Sequence, residues 1–153
     1  MIAVSASDLP ARRGSDYPAP HDAPCRERLR RALGDAFGLS QFGVNLLELP
    51  PGAWSSQRHW HERQDELVYV LEGEVVLVTD TGETILARDM TAGFRAGSGN
   101  GHHLVNRSDR TARVLEVGTR TVDEVAHYPD IAMTVREDAA GAGYFTADGR
   151  PMK

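Results

Sequence analysis

The sequence predicts an all-β domain, a sandwich or barrel. Three observations carry that expectation. Between residues 41 and 119, short runs rich in Val, Leu, Phe and Tyr repeat with a period of two, the signature of half-buried strands. Turn residues separate these runs at regular spacing, as in sandwiches and barrels. No amphipathic stretch of about 10–15 residues interrupts them, which argues against alternating β/α units.

In chain order, Pro10, Pro18, Pro20 and Pro24 break the first part of the chain, which reads as an extended arm. Residues 25–33 are Arg-rich and read as a short helix or, equally, an edge strand. Arg28, Arg30 and Arg31 there read as a solvated charged face. Strands are expected over 41–49, 55–61, 66–71, 74–79, 84–87, 102–106 and 112–119. The turns between them fall at Pro50-Pro51-Gly52, Glu72-Gly73, Asp80-Thr81-Gly82, residues 97–101 and Ser108-Asp109. Beyond residue 120 the reading gives a helical turn at 123–125, an ordered turn at Tyr128-Pro129-Asp130-Ile131, a flexible loop over 139–143 and a final strand at Tyr144-Phe145-Thr146. The organisation is therefore an N-terminal arm (1–40) packing on the barrel or a partner, a barrel (41–119) and a C-terminal extension (120–153).

At 153 residues the chain is one domain, large enough to bury about 68–70% of its unfolded surface. Its 41% hydrophobic and 25% charged residues exclude wholesale disorder. A net charge of −5 argues against a nucleic-acid partner, which calls for excess Lys and Arg. Cys25 is the single cysteine, so no intrachain disulfide forms and a reducing compartment suits the chain. The first ten residues do not read as a secretory signal, and no apolar run approaches the roughly 20 residues of a membrane span. The expectation is a cytoplasmic protein without a membrane partner. Nucleophile elbow, Walker loop, dinucleotide turn and paired zinc cysteines are absent from the sequence.

Four of the six histidines fall in two groups, His59 with His61 and His102 with His103. On a strand, positions i and i+2 share a face. His59 and His61 therefore project together, as a pair of metal ligands would. Glu66 opens the following run and can reach the same ion, with Asp65 as a minor rival. His102 opens a later run and offers a fourth ligand, with His103 on the opposite face as the alternative. Such an imidazole–carboxylate set suits one divalent transition metal (Fe, Mn, Ni, Zn or Cu) without choosing among them. Gln57 and Ser55 share the inward face with the histidines. Gln57 is a candidate for orienting a ligand or contacting substrate, or it satisfies a backbone group. Glu116 is either a general base inside the barrel or a rim residue in a salt bridge. Asn106 reads as holding a turn or strand end, and Trp54, Trp60 and Tyr69 as core or interface aromatics.

The run Gly52-x6-His59-x-His61-x4-Glu66-x6-Gly73 resembles the first motif of the cupin superfamily, with one extra residue before the first histidine. His102-x3-Asn106, preceded by Asp89 and Ala96-Gly97, is similar to the second motif. Arg88 stands there where the pattern has Gly and Arg95 where it has Pro. Residues 98–101 lengthen the loop before His102 by two residues. The resemblance implies a double-stranded β-helix, the cupin jelly roll, often dimeric, with metal held by His59, His61, Glu66 and His102. It further implies a small-molecule enzyme of oxygenase, decarboxylase, isomerase or lyase type acting on a small polar metabolite. The alternative is a non-catalytic small-ligand-binding or sensor module. A homodimer is expected on the same ground.

Overall fold

The computed structural model describes residues 2–152. Its strands are β1 (Arg12–Arg13), β2 (Leu29–Ala32), β3 (Phe42–Leu49), β4 (Trp60–His61), β5 (Glu66–Glu72), β6 (Glu74–Thr79), β7 (Gly82–Ala87), β8 (Thr91–Phe94), β9 (His103–Val105), β10 (Ala112–Thr119), β11 (Glu124–Tyr128), β12 (Met133–Asp138) and β13 (Gly141–Thr146). They form a six-stranded sheet in the order β1-β2-β3-β10-β5-β8, a three-stranded sheet β7-β6-β9 and a four-stranded sheet β13-β12-β11-β4. The pairings between these strands are antiparallel, as expected of a jelly roll. No helix among the described residues is long and apolar enough to cross a membrane.

The inward face of the large sheet changes character along its strands. Leu47, Val114 and Val70 lie in one register row, and Asn45, Glu116 and Val68 in the next. Gly43, Gly118 and Glu66 form the third. The apolar end joins Leu49, Val75, Leu77, Leu86 and Leu104 in the main core. Each such side chain contributes about 1.5–3 kcal/mol by leaving water. The polar end has nothing apolar to bury, and the two glycines contribute no side chain, so a cavity opens there. The β5–β6 turn needs its glycine: Gly73 has φ +76°, and a Cβ there would sit 3.1 Å from Ala112 Cα.

Some expected elements differ. In the 55–61 run only Trp60–His61 is ladder strand. The rest still follows the 102–106 run, through bridges of Trp54 with Val105 and of His59 with His102. Residues 123–125 are not a helical turn. Glu124 opens β11, whose alternating burial hides Glu124, Ala126 and Tyr128. The inward face of β11 begins with a charged residue, Glu124, so apolar alternation alone does not mark the strand. Residues 139–143 are not a loose loop but the tip of the β12–β13 hairpin. Asp138 Oδ1 accepts a hydrogen bond from the Ala140 N–H at 2.7 Å. In the 25–33 run a strand is observed over Leu29–Ala32 as β2, but not as an edge, because β1 pairs with it on one side and β3 on the other.

Candidate metal centre and cavity

β4 and β5 place His59, His61 and Glu66 with donor atoms within 4.8 Å of one another. The three distances that matter converge on one atom. Glu66 Oε2 lies 3.6 Å from His59 Nε2, 3.5 Å from His61 Nε2 and 2.8 Å from His102 Nε2. His102 thus joins the cluster through Glu66. Glu66 Oε2 is nonetheless buried without a well-directed hydrogen bond. A buried carboxylate oxygen ringed by three imidazole nitrogens is a donor set that a cation would gather. Donors at about 2.0–2.2 Å from one ion lie no more than about 4.4 Å apart, and the spacings of 2.8–3.6 Å from Glu66 Oε2 fall within that limit. The donor set therefore fits a divalent transition metal. Burial alone would raise the Glu66 pKa, but the three imidazoles outweigh it and hold the carboxyl well below its usual range.

Neighbouring groups fix each ring. The Gln57 carbonyl accepts from His59 Nδ1 at 2.9 Å. This leaves Nε2 with its lone pair toward Glu66. Phe94 stacks on His102 with ring centroids 3.5 Å apart. His61 Nδ1 faces Glu124 Oε1 at 3.4 Å. Glu124 is only 3% exposed, and it also accepts the Glu62 N–H at 2.9 Å and the Arg63 N–H at 3.1 Å. Burial disfavours the His61 imidazolium, yet Glu66 and Glu124 together raise its pKa above 6.5. Sequence reasoning missed Glu124, because a lone Glu in a terminal extension belongs to no motif.

The lengthened loop before His102 is pinned at both ends. Gly97 N–H donates to the His61 carbonyl at 2.8 Å, and His102 N–H donates to the His59 carbonyl at 2.8 Å. Arg58 braces it from outside, bonding Asp130 through Nε at 2.8 Å and Nη2 at 2.6 Å, and reaching Asp80 and the Gly101 carbonyl through Nη1. The two extra residues therefore do not misdirect the ring.

The other candidates are placed as follows. His103 points away from the cluster. Its Nδ1 is 2.9 Å from the Ser56 carbonyl, and its ring packs edge-on against Trp54. It is buried, not the outer-face polar group otherwise expected. Asp65 also turns away and accepts the Ala96 N–H at 2.8 Å. Gln57 is buried and donates to the His21 carbonyl at 2.8 Å, the backbone-satisfying role. Asn106 bridges the Leu49 and Arg110 carbonyls at 2.6 and 2.7 Å. Arg28 and Arg30 are not a solvated face: both line the cavity beside the cluster, while Arg31 pairs with Glu48.

That cavity measures about 410 Å³, within the range of small-ligand sites. His59, His61, Glu66, Glu116 and Tyr128 line it. Glu116 is half-buried on the inner wall of the barrel, where it faces this space and an adjoining smaller pocket. Burial, and then the charge of Glu66, push its carboxyl up to about 7. It is not a rim residue, and it forms no salt bridge among the described residues.

A cupin domain model matches residues 45–118. A Silicibacter pomeroyi structure described as a sugar phosphate isomerase of the cupin superfamily is 48% identical, with a TM-score of 0.94, covering 99% of this chain and 96% of that one. A structure from Acidithiobacillus ferrooxidans, provisionally assigned the same activity, is 28% identical with a TM-score of 0.75, over 83% of this chain and 81% of that one. A Thermotoga maritima structure at 20% identity and a TM-score of 0.64, over 78% of this chain and 100% of that one, shares the fold. No match was found among the curated proteins. The chain belongs to the cupin superfamily.

Proposed function

We propose that this protein is a metal-dependent isomerase of a small phosphorylated sugar, with His59, His61, Glu66 and His102 as metal ligands. The observation that carries the reading is a buried cluster of three imidazoles around Glu66, opening through His59, His61 and Glu66 onto a cavity that the Glu116 carboxyl also lines. The 48% identical neighbour supports the choice of isomerisation among the chemistries a cupin site hosts. A bound divalent cation supplies Lewis-acid polarisation of adjacent substrate oxygens.

The chain's own residues supply the rest. Interconverting an aldose and a ketose moves one proton between neighbouring carbons and one between neighbouring oxygens, with no net change in electrons. Glu116 takes the proton from carbon and returns it to the adjacent carbon. A carboxyl with a pKa near 7 is suited to both directions, since it is neither locked as acid nor as base. Asn45, next to Glu116 in register, offers an amide for the oxygen that gains a proton. The enclosed wall around Tyr128 and Ala126 limits water access to the intermediate.

Elemental analysis of freshly purified protein beside its His59→Ala variant tests the ligand set. The expected result is about one transition-metal ion per chain, lost in the variant. Turnover is then read by proton NMR in deuterium oxide with phosphorylated aldoses. The expected signature is isomerisation with deuterium entering the carbon that receives the proton. Metal without turnover, with ligand-dependent stabilisation, overturns the catalytic reading in favour of a binding module. Absence of metal from both proteins overturns the ligand set itself.

A further inference from the structure

The side of the cavity facing the N-terminal arm is built differently from the metal cluster. Arg28 and Arg30 both line it, with Ser15 and Tyr17. Arg28 is anchored, its Nε donating to the Gly14 carbonyl at 3.0 Å and its Nη1 to the Ser55 carbonyl. Arg12, opposite Arg30 in register, is held by Asp16. Arg30 is different. It is half-buried, yet among the described residues its guanidinium forms neither a hydrogen bond nor an ion pair. Burial and the cations of Arg28 and Arg12 make its charge costly, and the carboxylates of Glu116 and Asp16 offset this only in part. The Ser15 hydroxyl is a second orphan, buried without a hydrogen-bond partner. A guanidinium beside another guanidinium and, among the described residues, in contact with no carboxylate, with a spare hydroxyl lining the same cavity, has room for an anion.

β2 and β5 are separated by β3 and β10, three ladder spacings or about 14 Å. Arg30 and Glu66 therefore lie on one inward face of the sheet, toward its two lateral ends, and line one space. We propose that Arg30, supported by Arg28 and the Ser15 hydroxyl, is the phosphate-binding subsite of this cavity. It takes a phosphate monoester dianion at one end while the other end of the ligand meets the metal cluster. The planar fork of Arg30 suits two phosphate oxygens. The Ser15 hydroxyl donates to the third oxygen. This assignment rests on the sugar-phosphate reading above, but its test separates the two.

Inorganic phosphate is titrated calorimetrically into the protein as purified, at ionic strength matched with chloride. Metal content and melting temperature are measured on the same samples. Arg30→Gln is expected to weaken phosphate at least tenfold with metal content unchanged, and Ser15→Ala to weaken it several-fold. Arg30→Lys, which keeps charge and loses the fork, is expected to fall between and covers the case in which Arg30→Gln does not fold. Phosphate affinity within twofold of the wild type in both Arg30 variants, or no phosphate binding by the wild type, overturns the subsite. In steady-state assays Arg30→Gln is expected to raise KM for the phosphorylated sugar tenfold or more, with kcat within about threefold. Turnover whose KM ignores Arg30 overturns the subsite and leaves the isomerase reading standing. Arg30-dependent phosphate binding with no turnover of any sugar phosphate does the reverse.

Discussion

Replacing Glu124 by Gln keeps the shape of the side chain and removes its charge. Glu124 Oε1 holds the Glu62 N–H and faces His61 Nδ1, while Oε2 holds the Arg63 N–H and the Thr121 hydroxyl. With the amide oxygen in the place of Oε1, the new NH2 group meets the Arg63 N–H, donor against donor. The part-buried Arg63 N–H then loses its nearer, charged acceptor, at about 1–3 kcal/mol. For a domain of this size that lowers Tm by roughly 2–12 °C. The larger consequence is at His61, which loses the carboxylate behind its Nδ1. Removing such a partner weakens metal binding about 10–100-fold, or roughly 1.4–2.7 kcal/mol. Competition against a coloured chelator, with manganese or zinc, measures that loss directly. Glu124→Asp, which retains the charge at a longer reach, should recover part of it. A metal affinity for Glu124→Gln within twofold of the wild type would refute the idea that Glu124 tunes His61.

Other perturbations separate stability from the site. Glu116→Gln should abolish isomerisation while stabilising metal-free protein at high pH. A carboxyl whose native pKa, about 7, exceeds its unfolded 4.5 makes stability fall as pH rises between those values, so melting should match wild type at pH 4.5 and exceed it at pH 8, by up to about 3 kcal/mol. Equal melting temperatures at both pH values would remove the buried-charge argument. Arg58→Met releases Asp130, Asp80 and the Gly101 carbonyl together; a cost of about 1–3 kcal/mol is expected from lost charge-assisted bonds, along with weaker metal retention as the loop before His102 loosens, both read by thermal melting and metal analysis. Leu47→Ala, in the apolar row of the same sheet, should cost about 2–5 kcal/mol yet keep metal stoichiometry when assayed cold.

Much of the fold and of the candidate His–Glu cluster was legible because both rest on short-range rules. Alternation placed the strands of the barrel, and the i, i+2 rule put His59 and His61 on one face. Glu66 and His102 followed from where the next runs began. The missed groups are those whose position depends on distant pairing. Glu124 reaches His61 only because β11 pairs with β4, Ala126 opposite His61. Arg30 faces the cavity only because β2 joins β3, opposite Leu47, with the phase that turns it inward. A one-residue slip would have exposed it, as the sequence reading assumed. Glu116 was ambiguous for the same reason: its strand was clear, but its height along the barrel was not.

The short strand β4 has a consequence for how this protein can be divided. It spans two residues, and its ladder partner is β11, which lies outside the segment 45–118 that matches the cupin domain model. The cavity wall on the other side comes from residues 12–30. A fragment trimmed to the family boundaries would retain every ligand side chain and lose the pieces that steer them. The barrel segment and its two flanks therefore make one indivisible unit around the cavity.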